Sequence, residues 1–313
     1  MRIKLPIQNL CGDCFEAVLI NIALYLNRRY EFMYLNEWGF RFELAHNNTN
    51  QCLGKALDIY RDKVGPLMKY HGIGYSQHKC ENIENLQDIL QNNILDKLPI
   101  AARIDSYFCS WDKSFNKYHN SNHIVLLNGF DGNSRHIICS DPFYQEWNRM
   151  ISLEKFADIY TGQYGIFDIK EDISSFVDGL CIFRKTLESL CDENIFDTIK
   201  KFAVEVYRAD FIKELEPDSE VWFAQIYRRM IDIVNSRKRL PFLITFLSKK
   251  YNRPELLGVL PLLEEIIENW QWSKNMTLKL LMNGNMALQE KLSFKINNIA
   301  DMEKSAVMNL LNI

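Results

Sequence analysis

The sequence that decides the fold is QNLCGDCFEAVLINIALYLN, residues 8–27. Apolar side chains recur along it at helical spacing, which predicts an amphipathic helix over residues 10–27. Asp13 followed by Glu16 is a variant of the capping box, so the pattern puts Cys14 at the first helical position. The helix dipole and the free amide groups at that position favour the thiolate form of a cysteine. Cys14 is therefore a candidate nucleophile.

Three further residues complete a set around Cys14. Gln8 stands six residues before the cysteine, where its side-chain amide can donate a hydrogen bond to an oxyanion. His123 begins one strand-like run, and Asp141 ends the next. Together they provide a nucleophile, a base, an orienting carboxylate and an oxyanion donor. This set predicts cysteine-based acyl chemistry.

A predicted hairpin brings His123 and Asp141 to the same place. The turn signal Asp-Gly-Asn-Ser at 131–134 joins two apolar, β-branched runs, 123–130 and 135–140. If the glycine is at the turn centre, His123 is directly opposite Asp141. Cross-strand partners project to the same face, with Cβ atoms about 4.5–5.5 Å apart. A loop one residue longer would break this register.

The pair Cys11 and Cys14 forms a C-x-x-C motif, which leaves a redox couple and a zinc site as alternatives. A thioredoxin-like fold needs a strand upstream, and the ten residues before Cys11 leave little room for one. A zinc site would need His78 and Cys80 as further ligands, at irregular spacing. The other cysteines are predicted to be small buried apolar residues: Cys52, Cys80, Cys109, Cys139, Cys181 and Cys191.

Composition limits the class of protein. The chain has 313 residues, 47% of them apolar and 25% charged, with a net charge of −3. A nucleic-acid binder would show an excess of basic residues. The longest largely apolar stretch, 241–247, is too short to span a bilayer, and residues 1–10 do not resemble a targeting leader. We therefore expect a cytoplasmic protein with reduced cysteines, without disulfides and without nucleic-acid or membrane partners.

The predicted elements divide the chain into an α+β domain, 1–186, and an all-helical domain, 187–313. The first contains the N-terminal helix and an antiparallel sheet. Its further predicted helices are 51–71, ended by Gly72 and Gly74, 82–92 and 153–160, and its further strands are 98–104, 164–169 and 180–183. The second contains predicted helices at 219–235, 239–250, 255–270 and 285–311.

The motifs resemble those of papain-like cysteine enzymes, most closely the double-glycine leader peptidases of bacteria. That branch carries a glutamine six residues before the nucleophile, an Asp-Cys pair, and a leucine five residues after it. Gln8, Asp13-Cys14 and Leu19 match this pattern. Its histidine strand and its following Asp-Pro are matched by His123 and Asp141-Pro142. The resemblance implies a papain-like first domain.

Phe15 departs from the pattern, because that branch usually has glycine after the nucleophile. A Cys-Phe variant with an appended helical domain is more similar to the butirosin-pathway acyltransferase family. That resemblance implies transfer of an acyl group from phosphopantetheine on a carrier protein to a small amine, with no cofactor or metal of its own. It implies Cys14 as nucleophile and His123 as base. Asp141 would orient the imidazole, and Gln8 would stabilise the oxyanion.

The resemblance thus implies a thiotemplated amide synthetase of secondary metabolism, whose helical domain shapes the substrate pocket. Two alternatives stay open. The first is a cytoplasmic cysteine peptidase or amidase that uses the same residues, with water in place of the amine. The second is a non-catalytic module that binds a carrier protein or a peptide, in which the thiol of Cys14 would be inert.

Overall fold

The computed structural model describes residues 2–8, 12–44, 52–59, 62–215 and 220–313. Packing divides the chain into two compact units. Met1–Tyr30 and Val64–Ser175 form the first unit, and Glu31–Lys63 and Phe176–Ile313 form the second. Cys11, one member of the predicted C-x-x-C pair, lies outside the described residues.

The first unit contains four helices and a six-stranded sheet among its described residues. The helices are α1 (Cys14–Tyr25), α3 (Val64–His71), α4 (Ile83–Leu95) and α5 (Leu153–Ile159). The strands are β3 (Ile73–Lys79), β4 (Ile100–Ile104), β5 (His123–Asp131), β6 (His136–Asp141), β7 (Glu146–Ser152) and β8 (Tyr160–Ile169). The sheet is antiparallel throughout, in the order β3-β8-β4-β5-β6-β7.

The second unit is mainly helical. Its helices are α2 (Leu53–Ala56), α6 (Gly179–Asp192), α7 (Ile195–Arg208), α8 (Gln225–Arg237), α9 (Leu240–Tyr251), α10 (Leu260–Asn283) and α11 (Met286–Leu311). Two short strands, β1 (Arg41–Phe42) and β2 (Leu57–Asp58), pair antiparallel. The 3₁₀ helices of the two units are Glu31–Tyr34, Ser106–Phe108, Phe211–Glu214, Val221–Phe223 and Pro254–Val259. No helix among the described residues is both long and apolar enough to cross a membrane.

Helix α1 begins where the capping pattern predicts. The Asp13 side chain accepts a hydrogen bond from the Glu16 backbone N–H at 2.7 Å, which satisfies one free amide of the first turn. All side chains from Glu16 to Ala23 are buried. A helix that is buried on every side is a central element of its unit rather than a surface helix. Cys14 is thus at the start of a helix whose position is fixed by packing.

The hairpin of β5 and β6 has a different register from the predicted one. Asp131 pairs with His136 around a four-residue loop, which displaces the pairing from the predicted one by three residues, and a β-bulge between Leu127 and Gly129 reduces this displacement by one. Leu126 pairs with Ser140, so Asp141 is displaced by two residues from a position directly opposite His123. The predicted direct pairing is therefore wrong. Because the displacement is even, both side chains still project from the same face, as diagonal neighbours.

The aromatic segment within Glu31–Lys63 explains why the observed division differs from the predicted domains, 1–186 and 187–313. Phe40 is buried, and its ring lies 5.8 Å from that of Phe202 and 6.3 Å from that of Trp270. These aromatic contacts bury large apolar areas in the core of the second unit. The segment therefore packs with helices that come far later in the chain.

Two predicted elements are wrong. Residues 180–183, predicted as a strand, belong to α6, where the Asp178 side chain accepts from the backbone N–H groups of Leu180 and Cys181. A four-residue apolar run is too short to show whether its apolar side chains follow the spacing of a helix or of a strand. The predicted helix 51–71 is interrupted because Leu57 and Asp58 pair with β1. The sheet strands β3 and β7 and helix α7 were not predicted. The predicted helix 219–235 corresponds to α8, which begins only at Gln225, and the predicted helix 255–270 corresponds to the 3₁₀ helix Pro254–Val259 and to α10, which continues to Asn283. The other predicted strands and helices are present within a few residues.

A buried ion pair joins two helices of the second unit. Arg237 Nε and Nη2 donate to the two carboxylate oxygens of Glu303, at 2.7 and 2.9 Å. Trp270 Nε1 donates to the same carboxylate at 2.7 Å. The side chains of Arg237 and Glu303 are fully buried, so each charge depends on the other for stabilisation.

Replacing Glu303 with leucine should therefore lower the free energy of unfolding by about 3–5 kcal/mol, because it leaves the Arg237 charge buried and unpaired. The double variant Arg237→Met/Glu303→Leu should lose less. As a control, Glu188→Gln disrupts the exposed Arg184–Glu188 pair, which should cost no more than about 1 kcal/mol. Urea denaturation followed by circular dichroism measures all three. A double variant less stable than Glu303→Leu would contradict this account.

Candidate active site

The fold brings Cys14, His123 and Asp141 together in the first unit. Cys14 begins α1, His123 begins β5 and Asp141 ends β6. His123 Nε2 lies 2.6 Å from Asp141 Oδ2, and both side chains are buried. Since Nε2 is engaged by the carboxylate, the other ring nitrogen, Nδ1, is left to face the sulfur of Cys14. The ring of His123 is thus hydrogen-bonded to both the Asp141 carboxylate and the Cys14 thiol.

Asp141 is held by a set of donors that includes residues not foreseen from the sequence. Trp111 Nε1 donates to Oδ2 at 2.8 Å, beside the contact with His123. The backbone N–H groups of Phe143 and Tyr144 donate to Oδ1 at 3.1 and 3.3 Å. The carboxylate therefore has little freedom to rotate and keeps Oδ2 directed at the imidazole.

The charge of His123 follows from its two partners. Burial of the ring lowers its pKa, but hydrogen bonds to Asp141 and Cys14, together with the negative charges of these groups, raise the pKa to about 10. The imidazole is therefore protonated at neutral pH. A positive imidazolium next to a cysteine stabilises the thiolate form, which is the reactive one.

Cys14 is accessible as well as paired. Its side chain is only partly buried, and Sγ lies 3.9 Å from the backbone oxygen of Asn122, a long distance even for a sulfur donor. The buried cysteines differ: burial raises the pKa of Cys109 to about 12 and raises that of Cys139 further. The predicted burial is confirmed for these two, but Cys181 is exposed. The three remaining cysteines of that prediction are partly buried: Cys52, Cys80 and Cys191.

Gln8 is attached to α1 by a buried side chain that sequence reasoning missed. Asn21 Oδ1 accepts from the Gln8 backbone N–H at 2.8 Å, and Asn21 Nδ2 donates to the Gln8 backbone oxygen at 2.8 Å. Asn21 Nδ2 also donates to the backbone oxygen of Ala17 at 2.7 Å. Asn21 is fully buried on α1, so it fixes the backbone of Gln8 against the helix that Cys14 begins. The Gln8 side chain is exposed, and its role as oxyanion donor stays a prediction.

The zinc alternative gains no support from the described residues. In the ranges that the structure describes, no three His, Cys, Asp or Glu side chains are close enough to hold a metal ion. His78 instead stacks on the ring of Tyr164, and the thiol of Cys80 donates to the backbone oxygen of Asn82. Both proposed ligands therefore have other contacts.

The raised pKa of His123 predicts a measurable titration. Its Cε1–H resonance in proton NMR should not titrate from about pH 6 to about 8 in the native protein. In Asp141→Asn the pKa of His123 should fall, because the carboxylate whose hydrogen bond raises it most is lost. The control Asp131→Asn changes a carboxylate at the other end of β5 and should leave the resonance unmoved. A native His123 that titrates near 6.5 would contradict the pairing.

The raised pKa of His123 also determines how the stability of the fold changes with pH. The folded pKa lies above the ordinary value of 6.5, so the proton on His123 stabilises the fold fully below about pH 6.5. That contribution is lost as the pH rises through about 10.

Three solved structures are similar to part of the chain. The peptidase domain of Streptococcus ComA, a bi-functional ABC transporter, is 19% identical, with a TM-score of 0.33 and coverage of 54% of this chain and 99% of that domain. A double glycine motif protease from an AMS/PCAT transporter, in complex with its leader peptide, is 18% identical, with a TM-score of 0.30 and coverage of 54% and 94%. The N-terminal peptidase C39 like domain of a Vibrio parahaemolyticus toxin secretion ATP-binding protein is 12% identical, with a TM-score of 0.29 and coverage of 51% and 98%.

Residues 34–166 match the model of the Peptidase_C39 like family. The match includes His123 and Asp141 but begins after Cys14. No curated protein matches the chain. The antiparallel sheet and the helical C-terminal region confirm the predicted α+β fold class, and the family match over residues 34–166 agrees with the predicted papain-like, C39-like first domain.

Proposed function

We propose that this protein is a cysteine-dependent acyltransferase that forms an amide bond. In this proposal it takes an acyl group from a thioester on the phosphopantetheine of a carrier protein and delivers the group to a small amine. The observation that carries the proposal is the buried contact between His123 and Asp141 next to Cys14, at the start of α1. A papain-like C39 fold supports an acyl-enzyme mechanism in general.

In the first step the sulfur of Cys14 attacks the carbonyl carbon of the thioester. The carbon–sulfur bond to phosphopantetheine then breaks, and the departing thiolate takes the proton held by His123. The carrier protein leaves as a thiol, and the acyl group stays on Cys14. The backbone N–H of Cys14 and the side-chain amide of Gln8 would stabilise the oxyanion.

In the second step the neutral amine attacks the acyl carbon. His123, now uncharged, takes the proton from the amine nitrogen, and the bond between the acyl carbon and Cys14 breaks. The amide leaves, and the thiolate and imidazolium are restored. No ATP is consumed, because the thioester already stores the activation. Asp141 keeps the imidazole in one orientation through both steps.

A cysteine peptidase or amidase with the same residues is the second candidate, favoured by the description of the matched family. It differs only in the second nucleophile, since water takes the place of the amine. Transfer can exceed hydrolysis when the amine is bound beside the acyl-enzyme, where effective molarities reach about 10⁵ M or more.

Cys14→Ala should abolish the acyl-enzyme. Incubation with an acyl thioester of N-acetylcysteamine, followed by intact-mass spectrometry, should show one acyl group on the native protein and none on Cys14→Ala. The matched control Cys181→Ala removes an exposed cysteine and should retain the adduct. An adduct that persists in Cys14→Ala would remove this residue from the mechanism.

The products then separate the two candidates. With increasing concentrations of a small diamine or amino sugar, an amide synthetase should shift its product from the free acid to the amide, and the amide fraction should saturate. Free acid as the only product with every amine tested would favour the hydrolase. A thiol that forms no adduct and resists iodoacetamide would favour a non-catalytic binding module.

A further inference from the structure

A row of polar side chains crosses three strands of the first unit and ends next to Cys14. Gln163 on β8 is hydrogen-bonded to Gln77 on β3. Arg103 on β4 donates from Nη2 to Gln77 Oε1 at 3.3 Å and from Nη1 to Asn122 Oδ1 at 2.8 Å. The backbone oxygen of Asn122 lies 3.9 Å from Cys14 Sγ. Arg103 is therefore part of the surroundings of the candidate nucleophile.

The guanidinium of Arg103 has no anionic partner. Within the part of the chain that the structure describes, no carboxylate lies within 4.0 Å of it, and its Nε is buried without an acceptor. Its two contacts are neutral amide oxygens, which use two of the five N–H groups of the side chain. Arg237 and Arg149, by contrast, are paired with carboxylates. A guanidinium offers a planar fork that suits a carboxylate or a phosphate.

Aromatic side chains border this cation. The ring of Phe15 meets that of Tyr75 edge-on at 4.9 Å, and Tyr75 lies 5.7 Å from Phe167. Gly165 makes room for this arrangement, because a Cβ atom there would clash with the Tyr75 ring. Burial raises the pKa of Tyr75, and the charge of Arg103 opposes this rise, so the phenol lies within the field of the guanidinium. The rings of Phe15, Tyr75 and Phe167 thus form an apolar wall beside the unpaired positive charge of Arg103.

Covalent geometry limits how far Arg103 is from the sulfur. One residue, Asn122, contacts both groups, through its side-chain oxygen and its backbone oxygen. These two oxygens of an asparagine are within about 5 Å of each other, which keeps the guanidinium within about 12 Å of Cys14 Sγ. An anion bound by Arg103 would therefore lie within about ten bonds of the reacting carbonyl along an extended acyl chain. The phosphate of phosphopantetheine is at the opposite end of its arm from the sulfur, so a group on the acyl chain fits this distance better.

We infer that Arg103 binds a carboxylate carried by the acyl group, while the acyl chain lies against Phe15 and Tyr75. The inference deepens the proposed function, since it names the class of acyl donor that Cys14 accepts. Arg103 recognises an anion in this account, and the donor has a second anion besides the acyl carboxylate, namely the phosphate of phosphopantetheine. Arg103 and the His123 imidazolium together disfavour donors that carry a positive charge.

Matched donors test this assignment. We compare N-acetylcysteamine thioesters of dicarboxylic acids of increasing length, each with its methyl ester at the far end. The native protein should prefer the free carboxylate in kcat/KM for acylation. In Arg103→Met the ratio of carboxylate to ester should fall about 10–100-fold, the value of one charge-assisted hydrogen bond. Arg103→Lys keeps the charge without the fork and should give an intermediate ratio.

A ratio unchanged in Arg103→Met would overturn the inference. A native protein that shows no preference for the carboxylate donor would also overturn the inference. This second result does not depend on the folding of any variant. The phosphate is tested with one neutral acyl group on phosphopantetheine and on pantetheine. If Arg103→Met changes only the preference between these two donors, the anion is the phosphate and the acyl-carboxylate assignment is wrong.

Binding separates this inference from the proposed function. Calorimetry with Cys14→Ala, which cannot be acylated, measures the affinity for the carboxylate thioester and for its methyl ester. Tighter binding of the carboxylate that is lost in Cys14→Ala/Arg103→Met supports the site even if no amide forms. Equal affinities for the two donors would refute the site even if amide formation is observed.

Discussion

The 2.6 Å contact between His123 and Asp141 is the interaction on which the candidate site depends. It joins two buried groups, and its cost in desolvation is offset because Trp111 and two backbone amides also donate to the carboxylate. The carboxylate raises the pKa of His123, and the positive ring in turn faces Cys14. The β5–β6 hairpin, the loops that contact Asp141 and helix α1 together set the surroundings of the Cys14 sulfur.

Much of this arrangement could be predicted from local sequence. The Asp13 cap and the strand runs depend on neighbouring residues, and both were found as expected. The register of the hairpin could not be predicted, because a β-bulge beside Asn128 depends on contacts across the sheet. Because the displacement is two residues, the side chains of His123 and Asp141 stay on the same face of the sheet. They therefore meet as predicted, although the predicted pairing is wrong. A one-residue displacement would have separated them.

The residues that support the site left no signal in the sequence. Asn21 occupies a helix position where an apolar residue would fit the pattern, and Arg103 lies in an apolar strand. Each is explained only by a hydrogen-bond partner outside its own helix or strand: Gln8, 13 residues from Asn21, and Asn122, 19 residues from Arg103. The division of the chain was missed for a similar reason, since an aromatic segment near the start packs with helices near the end. Periodicity reports local structure, and such long-range packing lies outside it.

The most direct test of the central claim is the rate at which iodoacetamide alkylates Cys14 compared with Cys181 in the same molecule, measured by peptide mass spectrometry at about pH 6. Cys181 is an exposed thiol, and it has no histidine partner among the residues that the structure describes. The account predicts that Cys14 reacts faster than Cys181 in the native protein, and that this difference disappears in His123→Gln. Equal rates in the native protein, or a difference that survives in His123→Gln, would contradict the account.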